Sequence, residues 1–414
     1  MKRLFTHIGC LAGIVPAGVL RKEGAAMDQV ATLADAWLLT EGERIAAFGG
    51  PDDPMPEDAG ERVDCSGALL MPAFCDSHTH IVYAGSRDGE FLDKIRGLSY
   101  AEIAARGGGI LNSADRLNQT SEDELFRQSM VRVEELMAQG TGAIEIKTGY
   151  GLNPDGETKM LRVIDRIRKQ VPALVRSTFL GAHAVGRGYS HEEYVDCVCR
   201  MMPEAARYAD FVDIFCEEGF FSVADAARVL QAGRQAGLRP KIHANQLAAS
   251  GGVQVGVQYG ALSVDHLEKS GAAEIAALRG SDTMPTMLPG SAFFLGIPDG
   301  PARDYIADGL GIALASDYNP GSSPAGDMRF IWALGCIRMR LTPAQAFNAV
   351  TLNSAYAMGV SDQCGSVTVG KRADLILTSP GWTLTKIPYL HHTPFIRQVY
   401  LAGQPILPTC KGNV

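Results

Sequence analysis

Eight short apolar runs, separated by helical stretches, fill the middle of this 414-residue chain. They are LMPAFCDSHTH (70–80), AIEIKTG (143–149), VRSTFLGAH (175–183), FVDIFCE (211–217), RPKIHAN (239–245), ALSVDH (261–266), DTMPTML (282–288) and GIALASD (311–317). Strand-then-helix repetition is the pattern of a parallel sheet, because parallel neighbours need a long crossover between them. The intervening segments carry the matching punctuation. TSEDELFRQSMVRVEELMAQG opens on a Thr/Ser cap with an acidic first turn and stops at Gly140. TPAQAFNAVTLNSAYAMG pairs Thr342 with Gln345 as a capping box, sets Pro343 at the first helical position and stops at Gly359. Eight βα units over about 250 residues have the count and size of a TIM (β/α)8 barrel. The competing architecture is an open doubly wound sheet, but no G-x-G-x-x-G opens a helix after the first strand.

The two chain ends read differently. The first part holds short strands and turns, as in AWLLTEGERIAAFGG, and the last part holds CGSVTVGKRADLILTSP and FIRQVYLAGQPI. Gly365 and Gly370 bracket an alternating stretch that suits a hairpin. The expected organisation is a barrel over residues 70–359 with one small, discontinuous β-sandwich domain over 1–69 and 360–414.

Composition narrows the function classes. Hydrophobic residues make up 46% and charged residues 20%, an ordinary globular balance. The formal net charge is −8 and no Lys/Arg run occurs, so neither nucleic acid nor an anionic membrane is an expected partner. No stretch approaches the ~18 apolar residues of a membrane span. Nine cysteines lack the paired spacing of a disulfide framework, which points to a reducing compartment. Cys197 and Cys199 sit on an amphipathic helical segment and read as core packing. The N-terminal MKRLFTHIGCLAGIVPAGVL is interrupted by His7 and Pro16, which favours a first strand over a signal peptide. The expected location is the cytoplasm.

In a TIM barrel, functional residues belong at the C-terminal ends of the strands. There this chain places His78 and His80, His183, Glu217, His243, His266 and Asp317, which include five of its nine histidines. Residues i and i+2 of a strand share a face, so His78 and His80 can both aim into the barrel mouth. Alone, that pair is as well explained by hydrogen-bonded core histidines. With His243 and Asp317 it becomes a candidate site for one divalent metal, zinc or iron, since imidazoles and a carboxylate suit either. An open coordination position would make the site catalytic by lowering the pKa of a water toward ~7.

These residues resemble the metal-dependent amidohydrolase superfamily, and within it the imidazolonepropionase family. The resemblance rests on DSHTHIVYAGSRDGEF, SYAEIAARGGGIL, EIKTGYGL, TFLGAHAV, DIFCEEGFFS, KIHANQLAASGG, SVDHLE and ASDYNPGSSP, spread over residues 70–325. EIKTGYG and DYNPGSSP are more specific than the metal pattern. The resemblance implies metal ligands His78, His80, His243 and Asp317. It implies substrate contacts from Arg87, Tyr150, His183, Gln246, Asn319, Gly321 and Ser322, and a catalytic role for His266. The implied reaction hydrolyses the cyclic amide of 4-imidazolone-5-propanoate, giving N-formimidoyl-L-glutamate in histidine degradation. In that reaction, water activated by the metal attacks the ring carbonyl. The metal and His266 stabilise the charge on oxygen, while Asp317 moves the proton to the departing nitrogen.

The substrate's propionate tail is an anion, and a guanidinium grips a carboxylate with two parallel hydrogen bonds, so Arg87 suits it. Away from its motif, Arg87 would read as a solvated loop residue. Tyr150 is either a hydroxyl donor or an aromatic covering the rim. NPGSSP is either a turn that lets backbone N–H groups reach a carboxylate or a plain tight connection. Two features limit the carry-over. Gln246 stands where some relatives have Glu, and an amide cannot shuttle a proton. Lys147 falls on the second strand, whereas the bridging lysine of two-metal relatives belongs on the fourth, which ends in Cys216 and Glu217. One metal is therefore expected, with Lys147 an ion-pair partner of Glu145 or a neighbouring carboxylate. Asp76 is expected to make a structural hydrogen bond beneath the metal. The rival readings are a heterocyclic-base deaminase and a non-catalytic binding protein on the same fold. A homodimer is the expected assembly.

Overall fold

The computed structural model describes residues 1–57, 60–98, 102 and 108–406. Most of the SYAEIAARGGGIL motif lies outside the described residues. Seventeen strands form two sheets: β1 (Lys2–Ile14), β2 (Ala31–Glu41), β3 (Arg44–Gly49), β4 (Glu61–Asp64), β5 (Ala68–Pro72), β6 (Phe74–Thr79), β7 (Thr141–Lys147), β8 (Leu174–Ala182), β9 (Phe211–Cys216), β10 (Arg239–Pro240), β11 (Ile242–Ala244), β12 (Ser263–His266), β13 (Met284–Met287), β14 (Ala313–Leu314), β15 (Leu375–Pro380), β16 (Ile396–Leu401) and β17 (Gln404–Ile406).

The barrel runs β6-β7-β8-β9-β11-β12-β13-β14 with every neighbouring pair parallel. All eight strands read from the sequence are present, in chain order around the sheet. Beyond β14 the chain closes the ring on β6. Asp317 N donates to His78 O at 3.0 Å and His80 N donates to Tyr318 O at 2.8 Å. Helices cover the outside. Glu122–Ala138 starts at Ser121, whose side chain accepts from Glu124 N, and His191–Ala205 carries Cys197 and Cys199.

The second sheet comes from both chain ends, in the order β17-β16-β15-β5-β1-β2-β3, with β4 added alongside β1. It curls over its own core, so the expected sandwich is one continuous sheet. Strands β15 and β5 lie between β16 and β1, about 14 Å of flat sheet at three strand spacings. Yet the Tyr400 ring on β16 is 5.0 Å from Phe5 on β1, edge to face. Leu38, Ile45, Leu70, Val367 and Leu375 complete this core.

Three elements depart from the sequence reading, and the simplest is the run over 239–245, which is interrupted at Lys241 between β10 and β11. The run over 70–80 is two strands, β5 in the small sheet and β6 in the barrel. Pro72 has no N–H to continue a ladder, and Ala73 N bonds Asp374 O at 2.9 Å as the chain passes from one sheet to the other. The segment 342–359 is two helices, Pro343–Val350 and Leu352–Ala357. They part at Thr351 (φ −124°, ψ −96°), whose hydroxyl bonds back to Phe347 O at 2.7 Å.

Candidate metal centre and substrate cavity

Strand alternation turns Glu145 and Lys147 of β7 into the barrel, while Ile144 and Ile146 join the apolar layer under the helices. Asp213, Lys241, His243, Asp265 and His78 point inward from the other strands. Lys147 Nζ lies 2.7 Å from Glu145, 2.8 Å from Asp213 and 3.3 Å from Asp265. Lys241 pairs with the other Glu145 oxygen and reaches Ser77 O at 3.2 Å. Lys147 is the expected ion-pair partner, with more carboxylates than the sequence named. Burial opposes its charge, but Asp213, Glu145 and Asp265 outweigh that and hold its pKa above the usual lysine value.

The carboxylates of this network orient the histidines above it. His78 Nδ1 is 2.7 Å from Asp265 Oδ2. His243 Nδ1 is 3.0 Å from Asp213 Oδ2, out of line for a hydrogen bond. Each pairing turns an Nε2 toward the mouth. There His78 Nε2 and His80 Nε2 are 3.2 Å apart, and His80 Nε2 and His243 Nε2 3.5 Å. Asp317 Oδ1 lies 3.5 Å from His78 Nε2 and 3.6 Å from His80 Nε2.

These separations fit a metal ion. Donors ~2.0–2.1 Å from a central ion stand about 3.3–3.4 Å apart in a tetrahedron. Charge fits as well. Lys147 and Lys241 face Glu145, Asp213, Asp265 and Asp317, a net −2 that one divalent cation balances. Burial, then neighbouring positive charge, pushes the His78 pKa far down. Burial likewise keeps His80 and His243 neutral, as ligands must be. Burial raises the Asp317 carboxyl to about 6.

Asp76 makes the structural bond expected of it. Its carboxylate accepts from Ser316 N at 3.0 Å and Ser316 Oγ at 2.5 Å, fixing the residue before Asp317. Burial lifts the Asp76 carboxyl to about 7.

His80, His243 and Asp317 form the floor of a cavity of about 780 Å³, with His78 beneath. Arg87, Tyr150, His183, Gln246, His266, Asn319, Gly321 and Ser322 also line it, so the structure brings the whole candidate set together. His183 stacks on His80 (centroids 5.2 Å, 16°), bonds Gly149 O at 3.1 Å, and is pushed to about 4 by burial. Tyr150 lies edge-on to both rings, 6.1 Å from His80 and 5.6 Å from His183. His266 Nδ1 is 3.3 Å from Glu268 Oε1. Burial works against its charge, but Glu268, Asp317 and Asp265 together raise its pKa to about 9.

The NPGSSP turn is held by Asn319, whose Oδ1 accepts from Gly321 N at 2.7 Å and Ser322 N at 2.8 Å. Its Nδ2 bonds Asp317 O at 2.6 Å and Ser322 Oγ at 2.8 Å, so this side chain shapes the turn as well as lining the cavity. Gly321 admits Arg87: a Cβ there would meet Nη1 at 2.4 Å.

Four further residues shape the site without having been given a role from the sequence. Buried Glu157 accepts from Gly149 N, Gly151 N and Leu152 N at 3.1, 2.7 and 2.9 Å, shaping the Tyr150 loop. Glu217 accepts from Gln246 N at 2.7 Å and Ala248 N at 2.9 Å. Phe215 and Phe220, 4.6 Å apart, form an apolar wall beside His183 and His266.

The charge states give a pH prediction. Asp317 titrates above its ordinary 3.8, so metal-free protein keeps that proton until about pH 6, whereas its three histidines are already neutral. Metal uptake by chelator-stripped protein at pH 5.5 should release close to one proton per chain, because Asp317 must lose its proton to become a ligand. Calorimetry in buffers of different ionisation enthalpy reads this directly, and metal uptake at pH 5.5 without proton release contradicts it.

Comparison with known proteins agrees with this architecture. Residues 299–412 match the model of the amidohydrolase family. Among solved structures, the chain superposes on an atrazine chlorohydrolase variant from Arthrobacter aurescens, complexed with zinc and atraton. The TM-score is 0.74 at 13% identity over 99% of this chain and 97% of that one. It also superposes on a zinc-bound adenosine deaminase from Xanthomonas campestris, with TM-score 0.69 at 17% identity over 97% and 92%. These likenesses show the fold. Sequence relatives go further. The imidazolonepropionase of Flavobacterium johnsoniae is 48% identical over 98% of this chain and 100% of its own. That of Pseudomonas aeruginosa is 40% identical over 91% and 92%. A metal cofactor follows from the family and the histidine cluster together. With such identity along nearly its whole length, the chain belongs to the imidazolonepropionase family.

Proposed function

We propose that this chain hydrolyses the cyclic amide of 4-imidazolone-5-propanoate to N-formimidoyl-L-glutamate, a step of histidine degradation. The observation that carries the reading is one cavity holding both the His78, His80, His243 and Asp317 cluster and the Arg87 guanidinium. A ring placed over the cluster would leave its propionate tail for Arg87. One divalent metal, zinc or iron, fits the four donors; when bound it supplies Lewis acidity and water activated near neutral pH.

The chain's own residues do the rest. Arg87 takes the carboxylate, which fixes the ring's orientation. Gln246 and Tyr150 hydrogen-bond the ring, and His183 stands beside it. Gln246 orients without carrying a proton, since its side chain is an amide. Asp317 takes the proton from the attacking water and delivers it to the departing ring nitrogen. His266, supported by Glu268, donates to the oxygen on which charge develops. Asn319, Gly321 and Ser322 offer polar groups beside Arg87. Phe215 and Phe220 keep bulk water from one side of the ring. Absence of disulfide spacing among nine cysteines supports a cytoplasmic setting, and a homodimer is proposed because twofold dimers are the commonest soluble homo-oligomers.

A base deaminase would share the metal cluster but would not need Arg87 beside it. A non-catalytic relative would have lost ligands, and the closeness of the four candidate donors to one another supports the catalytic reading. Purified protein should open the ring of imidazolone propionate without releasing ammonia; ammonia from a purine or pyrimidine instead would overturn the reading. Arg87→Met should raise KM for the propionate substrate by about tenfold or more, with kcat falling less, because a contact remote from the reacting atoms is lost. Unchanged KM would remove Arg87 from the site.

A further inference from the structure

One wall of the cavity carries more positive charge than that mechanism uses. The helix Asp88–Ile95 follows Arg87 directly and brings Lys94 to the same wall. Lys94 Nζ donates to Gly321 O at 2.7 Å. The Arg87 guanidinium lies against the same glycine, where an added Cβ would be 2.4 Å from Nη1. The two cations thus sit within about one residue's width of each other. Glu90 is the carboxylate between them, and both its oxygens are engaged, one by Arg87 Nη2 at 2.5 Å and one by Gly109 N at 3.0 Å. Burial, then the Arg87 charge, pushes the Lys94 pKa down.

We propose that Lys94 is a specificity-determining residue that, with Arg87, reads a single carboxylate on the substrate. The inference rests on the ring-opening reading above and assigns its tail recognition to a pair of cations. Two cations side by side at Gly321 complement the two oxygens of a carboxylate such as a propionate. Lys94 suits the second position because its ammonium is a point charge on a flexible four-carbon stem. It can leave the Gly321 carbonyl for a bound carboxylate without moving its helix. A substrate with a neutral tail leaves both cations facing each other and gains nothing from either.

The test compares imidazolone propionate with its propionamide analogue in the metal-loaded enzyme. Lys94→Met should raise KM for the acid by about tenfold, the scale of one charge-assisted hydrogen bond, with kcat within about twofold. KM for the amide should change little, so the acid-over-amide preference in kcat/KM falls by about the same factor. Lys94→Arg, which keeps the charge, should restore most of that preference. Equal losses on acid and amide would show that Lys94 only docks its helix on Gly321, and no loss on either would equally overturn the proposal. Wild-type enzyme that opens neither ring overturns the ring-opening reading itself, and this inference with it, an outcome distinct from the other two.

Discussion

Beneath the metal-ligating atoms, Lys147 is held by three carboxylates inside a barrel closed to water, and the rest of the site depends on that interaction. Burying such charges is costly unless every group has a partner. Here Glu145 spans both lysines, Asp213 joins Lys147 to His243, and Asp265 joins Lys147 to His78. The same carboxylates that neutralise the lysines therefore aim the imidazoles. Removing Lys147 would leave three carboxylates facing one another at the floor of the site, with both histidines losing their orientation.

The upper half of the site is built from backbone in sparsely populated conformations. Asn245, His266, Leu267 and Asp317 all have positive φ, at 60°, 91°, 70° and 55°. Each stands at or just past a barrel strand end, where the chain turns sharply outward. Strain of this kind costs on the order of 1–3 kcal/mol per residue and persists only where surrounding bonds enforce it. Those bonds are visible: Lys269 N to Asn245 O, Leu267 N to Ala244 O, and Asp317 N to His78 O. The turn after Asp317 is enforced in the same way by Asn319. The candidate ligands and His266 are thus held in place before any substrate arrives, as a preorganised site requires.

The eight barrel strands and the four candidate ligands were legible because both follow from strand periodicity. A histidine or aspartate at the C-terminal end of a strand has only one place to go in a barrel. Lys147 and Asp76 were legible as inward residues, but their partners were not. Asp213 and Asp265 sit on strands that never adjoin β7's Lys147 in sequence, and only barrel closure brings them together. Glu217 was legible as a strand-end residue but its backbone partners were not, while Glu157 and Lys94 were invisible for a different reason: each lies in a helix, where a charged residue is the ordinary solvated choice. Their roles appear only when Gly149–Leu152, Gln246 and Gly321 fold back onto them. The division of 70–80 between two sheets was obscured because β5 and β6 are both apolar, and only Pro72 marks the crossing.

The central claim is that one divalent ion sits on His78, His80, His243 and Asp317, balancing the buried charge below it. Elemental analysis of purified wild-type protein and of His243→Ala, each after exhaustive dialysis, tests it most directly. The account predicts about one equivalent of zinc or iron per wild-type chain and a large loss in the variant, with the variant still folded by circular dichroism. Two equivalents in the wild type, or full retention in His243→Ala, would contradict it.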